Sequence, residues 1–372
     1  MKYETDTNNT IRTESIRLFT EDEPLLLECG TLLPDITVAY ETYGELNAER
    51  TNTILICHAL SGNAHAAGYH SDDATTAGWW DGVIGPGKAF DTEKYFVVCS
   101  NILGSCYGTT GPTSINPATR EQYRTAFPKI TVRDMVNVQK RLIDHLNIER
   151  LTAVCGSSLG GMQALEWAIM YPELCEHIIP ISVAAKQTAW CIALNAAARA
   201  AITGDSAWNN GNYTAQPANG LSLARMIGMI SYRSAEEFHQ RFGRNLQFEL
   251  SRFDDRNVFQ VESYLKYQGE KLVRRFDANT YLTLSQAMDL HDVTFGRGSL
   301  KDALGAITAK TLCIGVSSDL RYPVSDQIEL ARNLENATYA EINSIYGHDA
   351  FLIEYDQLNS IINNFLGKGG IQ

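Results

Sequence analysis

The chain predicts an α/β fold, a mostly parallel central sheet flanked by helices and interrupted by an inserted helical lid. Three observations carry this. Short, nearly unbroken apolar runs alternate with helically spaced ones, the pattern of strands buried on both faces of a parallel sheet. A Gly-x-Ser-x-Gly turn at residues 156–160 joins one such run to a helical stretch. From about residue 184 to 298 the strand signal disappears.

Two early runs, residues 24–29 and 36–41, flank Gly30 and Pro34 and predict an antiparallel pair. Strands follow at 53–58, 95–100, 151–155 and 177–182. Ahead of the third of these, Met135, Val136, Val138, Leu142, Ile143 and Leu146 recur at helical spacing over 132–146. The alternation resumes late, with strands at 311–316 and 339–342 and helices at 325–334 and 356–366. The stretch between is rich in Ala, Arg, Gln, Met and Leu and predicts helices at 190–202, 221–231, 235–242, 263–276 and 280–288. This gives a core of residues 1–183 and 299–372 and a helical lid of 184–298. Inserted at the C-terminal edge of the sheet, the lid caps the place where open α/β sheets hold their ligands.

Composition narrows the function. A chain of 372 residues is long enough for one large domain with an insertion, or for two domains. With 31 basic and 43 acidic residues, the formal net charge is -12. That balance lacks the basic patch that nucleic acid or an anionic membrane requires. No apolar run approaches the roughly 20 residues of a spanning helix, and the N-terminus lacks a secretory pattern. The eight cysteines are scattered without a C-x-x-C; Cys57, Cys99, Cys155 and Cys313 sit in strand runs as small buried hydrophobes. A reduced, cytoplasmic protein is expected. No metal-ligand set and no phosphate-cradling loop is evident, so neither a metal nor a bound cofactor is expected.

The serine turn carries the chemistry. A strand-turn-helix with Ser158 at its apex strains the backbone so that the hydroxyl stands clear as a nucleophile. Glycine at 156 and 160 fits a place where strand and helix approach too closely for side chains. A serine nucleophile needs a base, and the base a carboxylate that fixes its tautomer. The chain order in this architecture is Ser, Asp or Glu, then His. Of eight histidines, His58, His65, His70 and His145 precede Ser158, His177 falls inside a strand, and His239 and His291 lie in the insertion. His348 alone follows the last strand, on a short loop before the final helix. The matching acid is Asp319, directly after the strand at 311–316; Asp326 lies inside the next helix. The inserted lid explains the long gap between Ser158 and Asp319. Two backbone N–H groups complete the site as an oxyanion hole, assigned to Leu159 after the nucleophile and to Leu60 after the strand at 53–58.

Beyond the serine turn the chain carries several glycine-rich blocks. They are His58-Ala-Leu-Ser-Gly-Asn-Ala-His65, Gly78-Trp-Trp-Asp-Gly-Val-Ile-Gly-Pro-Gly87 and Asn101-Ile-Leu-Gly-Ser-Cys-Tyr-Gly-Thr-Thr-Gly-Pro112. With Ala224-Arg-Met-Ile-Gly228 and Gly347-His-Asp-Ala-Phe-Leu352, they make the chain resemble the homoserine O-acyltransferases of the α/β-hydrolase superfamily, over residues 15–366. The resemblance implies acyl-CoA-dependent acylation of L-homoserine in methionine biosynthesis, by a ping-pong reaction in which CoA is a substrate. It assigns Arg225 to the homoserine carboxylate and Asp349 to its α-amino group, with Tyr232 in the same pocket. It also implies a homodimer through the lid helices, with Met226, Met229 and Tyr232 as the exposed face.

The acyl donor is open at this level. Succinyl-CoA users of the family carry an arginine two places after the triad aspartate, as Arg321 stands here. The aromatic that precedes that arginine in them is Leu320 in this chain. The other blocks are closer to the acetyl-using branch, which favours acetyl-CoA. A serine acyltransferase, an esterase or thioesterase with the same triad, and a non-catalytic binding member of the fold are the rival readings. One methylene separates serine from homoserine and is worth only about 1–3 kcal/mol of discrimination.

Overall fold

The computed structural model describes residues 10–70, 75–248, 253–254 and 258–367. Eight strands form the central sheet: β1 (Glu14–Arg17), β2 (Thr37–Tyr43), β3 (Thr53–Cys57), β4 (Phe96–Ser100), β5 (Leu151–Ser157), β6 (Cys175–Ile181), β7 (Lys310–Val316) and β8 (Ala337–Ile342). Their spatial order is β8-β7-β6-β5-β3-β4-β2-β1. Strands β3 to β8 are parallel, and β2 and β1 close one edge antiparallel. The apolar runs are continuous because both faces are covered. Along β3, Leu55 and Cys57 enter one hydrophobic cluster while Ile54 and Ile56 enter the other.

The flanking helices follow from their spacing and caps. Helix α1 (Val132–His145) buries Met135, Val136, Val138, Leu142 and Ile143, and Thr131 and Asp134 close its start as a capping box. Helix α2 (Leu159–Met170) is buried along nearly its whole length. Between β6 and β7 the chain adds α3 (Ala189–Gly204), α4 (Ala218–Tyr232), α5 (Ala235–Phe242), α6 (Gln260–Val273) and α7 (Ala278–Asp289). The two ends of this excursion are tied together: Gln187 N–H donates to His291 O at 2.9 Å and Val293 N–H to Ala185 O at 3.0 Å. Helices α8 (Leu300–Gly305), α9 (Val324–Asn333) and α10 (Tyr355–Gly367) complete the chain. No helix among the described residues is long and apolar enough to cross a membrane.

Two expectations are corrected, and one strand was not foreseen. The runs at 24–29 and 36–41 do not pair with each other. Leu25–Leu26 instead pairs with Leu32–Leu33 around Gly30, and the later run joins the main sheet as β2. Pro34 and Asp35, the latter at φ 61°, break the chain between them. Strand β1 escapes sequence reading because it is a short edge strand of alternating exposure whose apolar residue is Ile16. On α4, Met229 is buried at 1% and Met226 and Tyr232 are half-buried, so these three do not form an exposed face. The exposed apolar residues there are Leu223 and Ile230, with Met226 and Ile227 between them at i, i+3, i+4, i+7.

Candidate active site

Strand β5 delivers Ser158 to the C-terminal edge of the sheet, and α2 begins at the next residue. Ser158 adopts φ 57° and ψ -121°, a conformation L-residues rarely hold. Neighbouring glycines make the turn possible. A Cβ on Gly160 would lie 1.9 Å from Cys57 O, and one on Gly156 would lie 2.3 Å from Gly160 O. The serine is thus held where α2 crosses the end of β3 at backbone distance.

Asp319 lies just after β7 and His348 on a short 3-10 turn (Gly347–Leu352) after β8. His348 Nδ1 donates to Asp319 Oδ2 at 2.7 Å, leaving Nε2 as the ring atom for proton transfer. The other carboxylate oxygen accepts from the backbone N–H groups of Arg321 (2.8 Å) and Tyr322 (3.1 Å), so the acid is fixed at both ends. Gly347 permits this placement. At φ 67°, a Cβ there would meet Arg233 C at 2.7 Å and Tyr232 O at 2.8 Å, where the turn abuts the end of α4. Ser158, Asp319 and His348 are all buried. No hydrogen bond joins Ser158 to His348; such contacts often tighten only in the substrate complex. The place of the serine therefore rests on its backbone and on the sheet edge it shares with the Asp319–His348 pair.

The backbone N–H groups of Leu60 and Leu159 donate to no other group among the described residues, and Leu159 opens α2. A pair of free donors beside a nucleophile, one at a helix N-terminus, suits a developing oxyanion. Two residues that sequence reasoning missed hold these loops. His58 Nδ1 donates to Ala59 O at 2.8 Å, and its Nε2 accepts from Ile102 N–H at 3.2 Å. Gln163 Nε2 donates to Leu159 O at 3.0 Å and to His58 O at 3.4 Å, clamping α2 to the loop after β3. The available signal was position: His58 directly precedes the Leu60 loop.

Burial pushes His58 down from 6.5 to about 4. A histidine depressed in the fold is neutral there, while the unfolded chain takes up a proton once pH falls below 6.5. Its effect on stability is therefore nil at neutral pH and grows between pH 6.5 and 4, to a loss of about 3 kcal/mol. Urea unfolding of the protein and of His58→Asn across this window is expected to show a shallower pH slope in the variant. Equal slopes would remove His58 from the account.

Around the imidazole stand the residues expected to read substrate. The Tyr232 ring lies 6.0 Å from the His348 ring, with the Arg225 guanidinium 5.3 Å and the Arg321 guanidinium 5.2 Å from its centroid. Arg225 is half-buried. Arg321 is buried, donating through Nη1 to Ser231 Oγ at 2.9 Å and through Nη2 to Asn195 Oδ1 at 3.2 Å. Its Nε has no partner, and its polar contacts are neutral. Asp349 is already paired with Arg233 Nε at 3.3 Å, so an incoming ammonium would share that carboxylate.

Elsewhere, Glu41, His65 and His70 bring three potential metal-ligating atoms within 4.8 Å of one another, a set not evident in the sequence. In the structure the Glu41 oxygens accept from Thr13 Oγ1 (2.7 Å), Tyr43 Oη (2.8 Å), His65 Nδ1 (3.0 Å) and His70 Nε2 (2.8 Å). Burial raises the pKa of Glu41, but these hydrogen bonds outweigh it and hold the carboxyl below its ordinary value. A cavity of about 660 Å³ lies between residues 124–130 and helices α3 and α7, and no triad residue lines it. The site is located by its chemistry, not by its volume.

The chain is similar to several known proteins. The α/β-hydrolase fold family matches residues 52–353. The homoserine O-acetyltransferase of Carboxydothermus hydrogenoformans is 51% identical over 350 residues, 92% of either chain. The crystal structure of homoserine O-acetyltransferase from Bacillus anthracis superposes with a TM-score of 0.89 at 33% identity, covering 96% of this chain and 98% of that one. The structure of esterase E22 is similar as well, with a TM-score of 0.88 at 32% identity over 96% of this chain and 100% of its own. The chain belongs to the homoserine O-acetyltransferase family, within the α/β-hydrolase fold.

Proposed function

We propose that the protein transfers an acetyl group from acetyl-CoA to the γ-hydroxyl of L-homoserine, giving O-acetyl-L-homoserine for methionine biosynthesis. The observation that carries the reading is the strained Ser158 elbow at the same sheet edge as the Asp319–His348 pair, in a chain half-identical to a homoserine O-acetyltransferase. His348 Nε2 takes the Ser158 proton as Oγ attacks the thioester carbonyl. The oxyanion sits on the N–H groups of Leu60 and Leu159. The tetrahedral adduct collapses, and the thiol of CoA leaves with the proton. Homoserine then gives its hydroxyl proton to His348 and attacks the acetyl-serine, and Ser158 is restored as it regains that proton. Asp319 keeps the imidazole in the tautomer that both halves require.

Arg225 holds the homoserine carboxylate and Asp349 its ammonium, with Tyr232 between Arg225 and the base. Arg225→Ala is expected to raise KM for homoserine by about tenfold or more, the loss of one charge-assisted pair. An unchanged KM would sink that role. Residues 184–298 act as the lid over a core of 1–183 and 299–372, excluding the water that would hydrolyse the acetyl-enzyme. The protein works in the cytoplasm as a homodimer through α4, with Leu223, Met226, Ile227 and Ile230 as its contact. Sedimentation showing only monomer at micromolar concentration would remove the dimer.

Esterase E22 favours a second reading, hydrolysis by the same triad. The test is CoA release from acetyl-CoA or succinyl-CoA, each with and without L-homoserine or L-serine. Homoserine-dependent release from acetyl-CoA is expected; release indifferent to the acceptor means a thioesterase. Arg321→Leu is expected to depress any succinyl transfer selectively, and equal losses with both donors would end its role in choosing the acyl group.

A further inference from the structure

We propose that the exposed basic end of α6, formed by Lys271, Arg274 and Arg275, docks the phosphates of the CoA donor. This rests on the acyl-CoA reading above and adds where the nucleotide end of the donor lies. Arg275 Nη1 donates to Ser61 O and to Tyr107 Oη, each at 2.7 Å. Ser61 directly follows Leu60, so the end of α6 stands at the rim of the oxyanion loop. Burial pushes the Tyr107 phenol up against the opposing pull of Arg275 and Arg225. Positive charge thus runs outward from Arg225, which the Tyr232 ring separates from the base, to the surface at Arg275.

Helix α6 continues that track. Tyr267, Lys271 and Arg274 are spaced i, i+4, i+7 and share one face, and helical backbone persists through Arg274 at φ -70° and ψ -19°. All three cations are exposed, as is Tyr267 at 54%; Glu270 shares the face. Elsewhere the buried-side arginines Arg133, Arg199, Arg233 and Arg297 are each paired with a carboxylate. Among the described residues Lys271, Arg274 and Arg275 have no such partner. Cations are favoured at a helix C-terminus by the dipole, but that accounts for neither the reach of Arg275 to the oxyanion loop nor the aromatic ring beside the cluster.

The chemistry fits a nucleotide polyphosphate. Guanidinium groups grip phosphate oxygens in bidentate fashion, and the exposed Tyr267 ring offers a plane for a purine. On a chain with a formal net charge of -12, a local cationic cluster also steers a polyanionic donor to the site. The pantetheine arm then carries the thioester past Tyr107 toward Ser158.

The test compares acetyl-CoA with acetyl-pantetheine, which has the same thioester and no phosphate, in the protein and in the double variant Lys271→Ala, Arg274→Ala. Arg275 is left intact because it also supports the Ser61 loop. The variant is expected to raise KM for acetyl-CoA by about tenfold or more, while KM for acetyl-pantetheine and for homoserine moves less than about twofold. Parallel changes with both thioesters, or none with either, would overturn the assignment alone. A parent protein that transfers from neither thioester overturns the functional reading and this assignment together.

Discussion

Replacing Ser158 with alanine is expected to lower kcat for acetyl transfer by about 10⁴-fold or more while leaving the fold and homoserine binding intact. In the proposed mechanism, removal of Oγ leaves no acceptor for the first half-reaction, and only the transition-state stabilisation assigned to the Leu60 and Leu159 N–H groups would remain. Losses of this order follow when any member of such a unit is removed. Asp319→Asn is expected to approach the same loss by another route. Asp319 accepts from His348 Nδ1 and from two backbone N–H groups. An amide turned to keep the backbone contacts presents its NH2 to the imidazole and favours the wrong tautomer. Steady-state rates with matched circular dichroism spectra check both variants. A Ser158→Ala protein retaining a tenth of the parent rate would mean another nucleophile.

Gly160→Ala carries the largest expected effect on stability. The added Cβ would lie 1.9 Å from Cys57 O and 2.8 Å from Cys57 C, both backbone atoms of a fully buried strand. No side chain can swing aside, so β3 and α2 must separate at the point that aligns Ser158 with the Leu60 loop. Several kcal/mol of destabilisation is expected, enough to consume much of the roughly 5–15 kcal/mol of a typical domain. Gly204→Ala is the control. It lies at the end of α3 with nothing within 4 Å of the new Cβ, and the substitution is expected to be neutral or to stabilise by up to about 1 kcal/mol. Urea midpoints for the two variants measure the contrast; a Gly160→Ala protein as stable as its parent would refute the close-approach argument.

Sequence pattern resolved what is local. Strands such as β3 and β4 are buried at every position and apolar at all but Thr53 and Ser100, and α1 has both its spacing and its cap written in the chain. The serine elbow was legible because its strain demands particular residue types, and His348 because chain order left no other histidine after the last strand. What was not legible depends on distant partners. Edge strand β1 owes its existence to β2, and the Leu25–Leu26 hairpin to a break at Pro34 and Asp35. Met229 read as exposed because α4 is apolar around much of its circumference, and only packing against neighbouring helices decides which side is covered. The tethers His58 and Gln163, and the pairing of Asp349 with Arg233, join segments far apart in sequence. Apart from the position of His58 ahead of the Leu60 loop, no local pattern signals them.

In the proposed mechanism Ser158 carries the acetyl group between two substrates. Its most direct measurement is mass spectrometry of the protein mixed with acetyl-CoA alone, then quenched and digested, with and without a brief chase of L-homoserine. An acetyl group on Ser158 that persists in water and is discharged promptly by homoserine is the predicted result. An unmodified Ser158, or an acetyl-serine that water clears as fast as homoserine does, would contradict it.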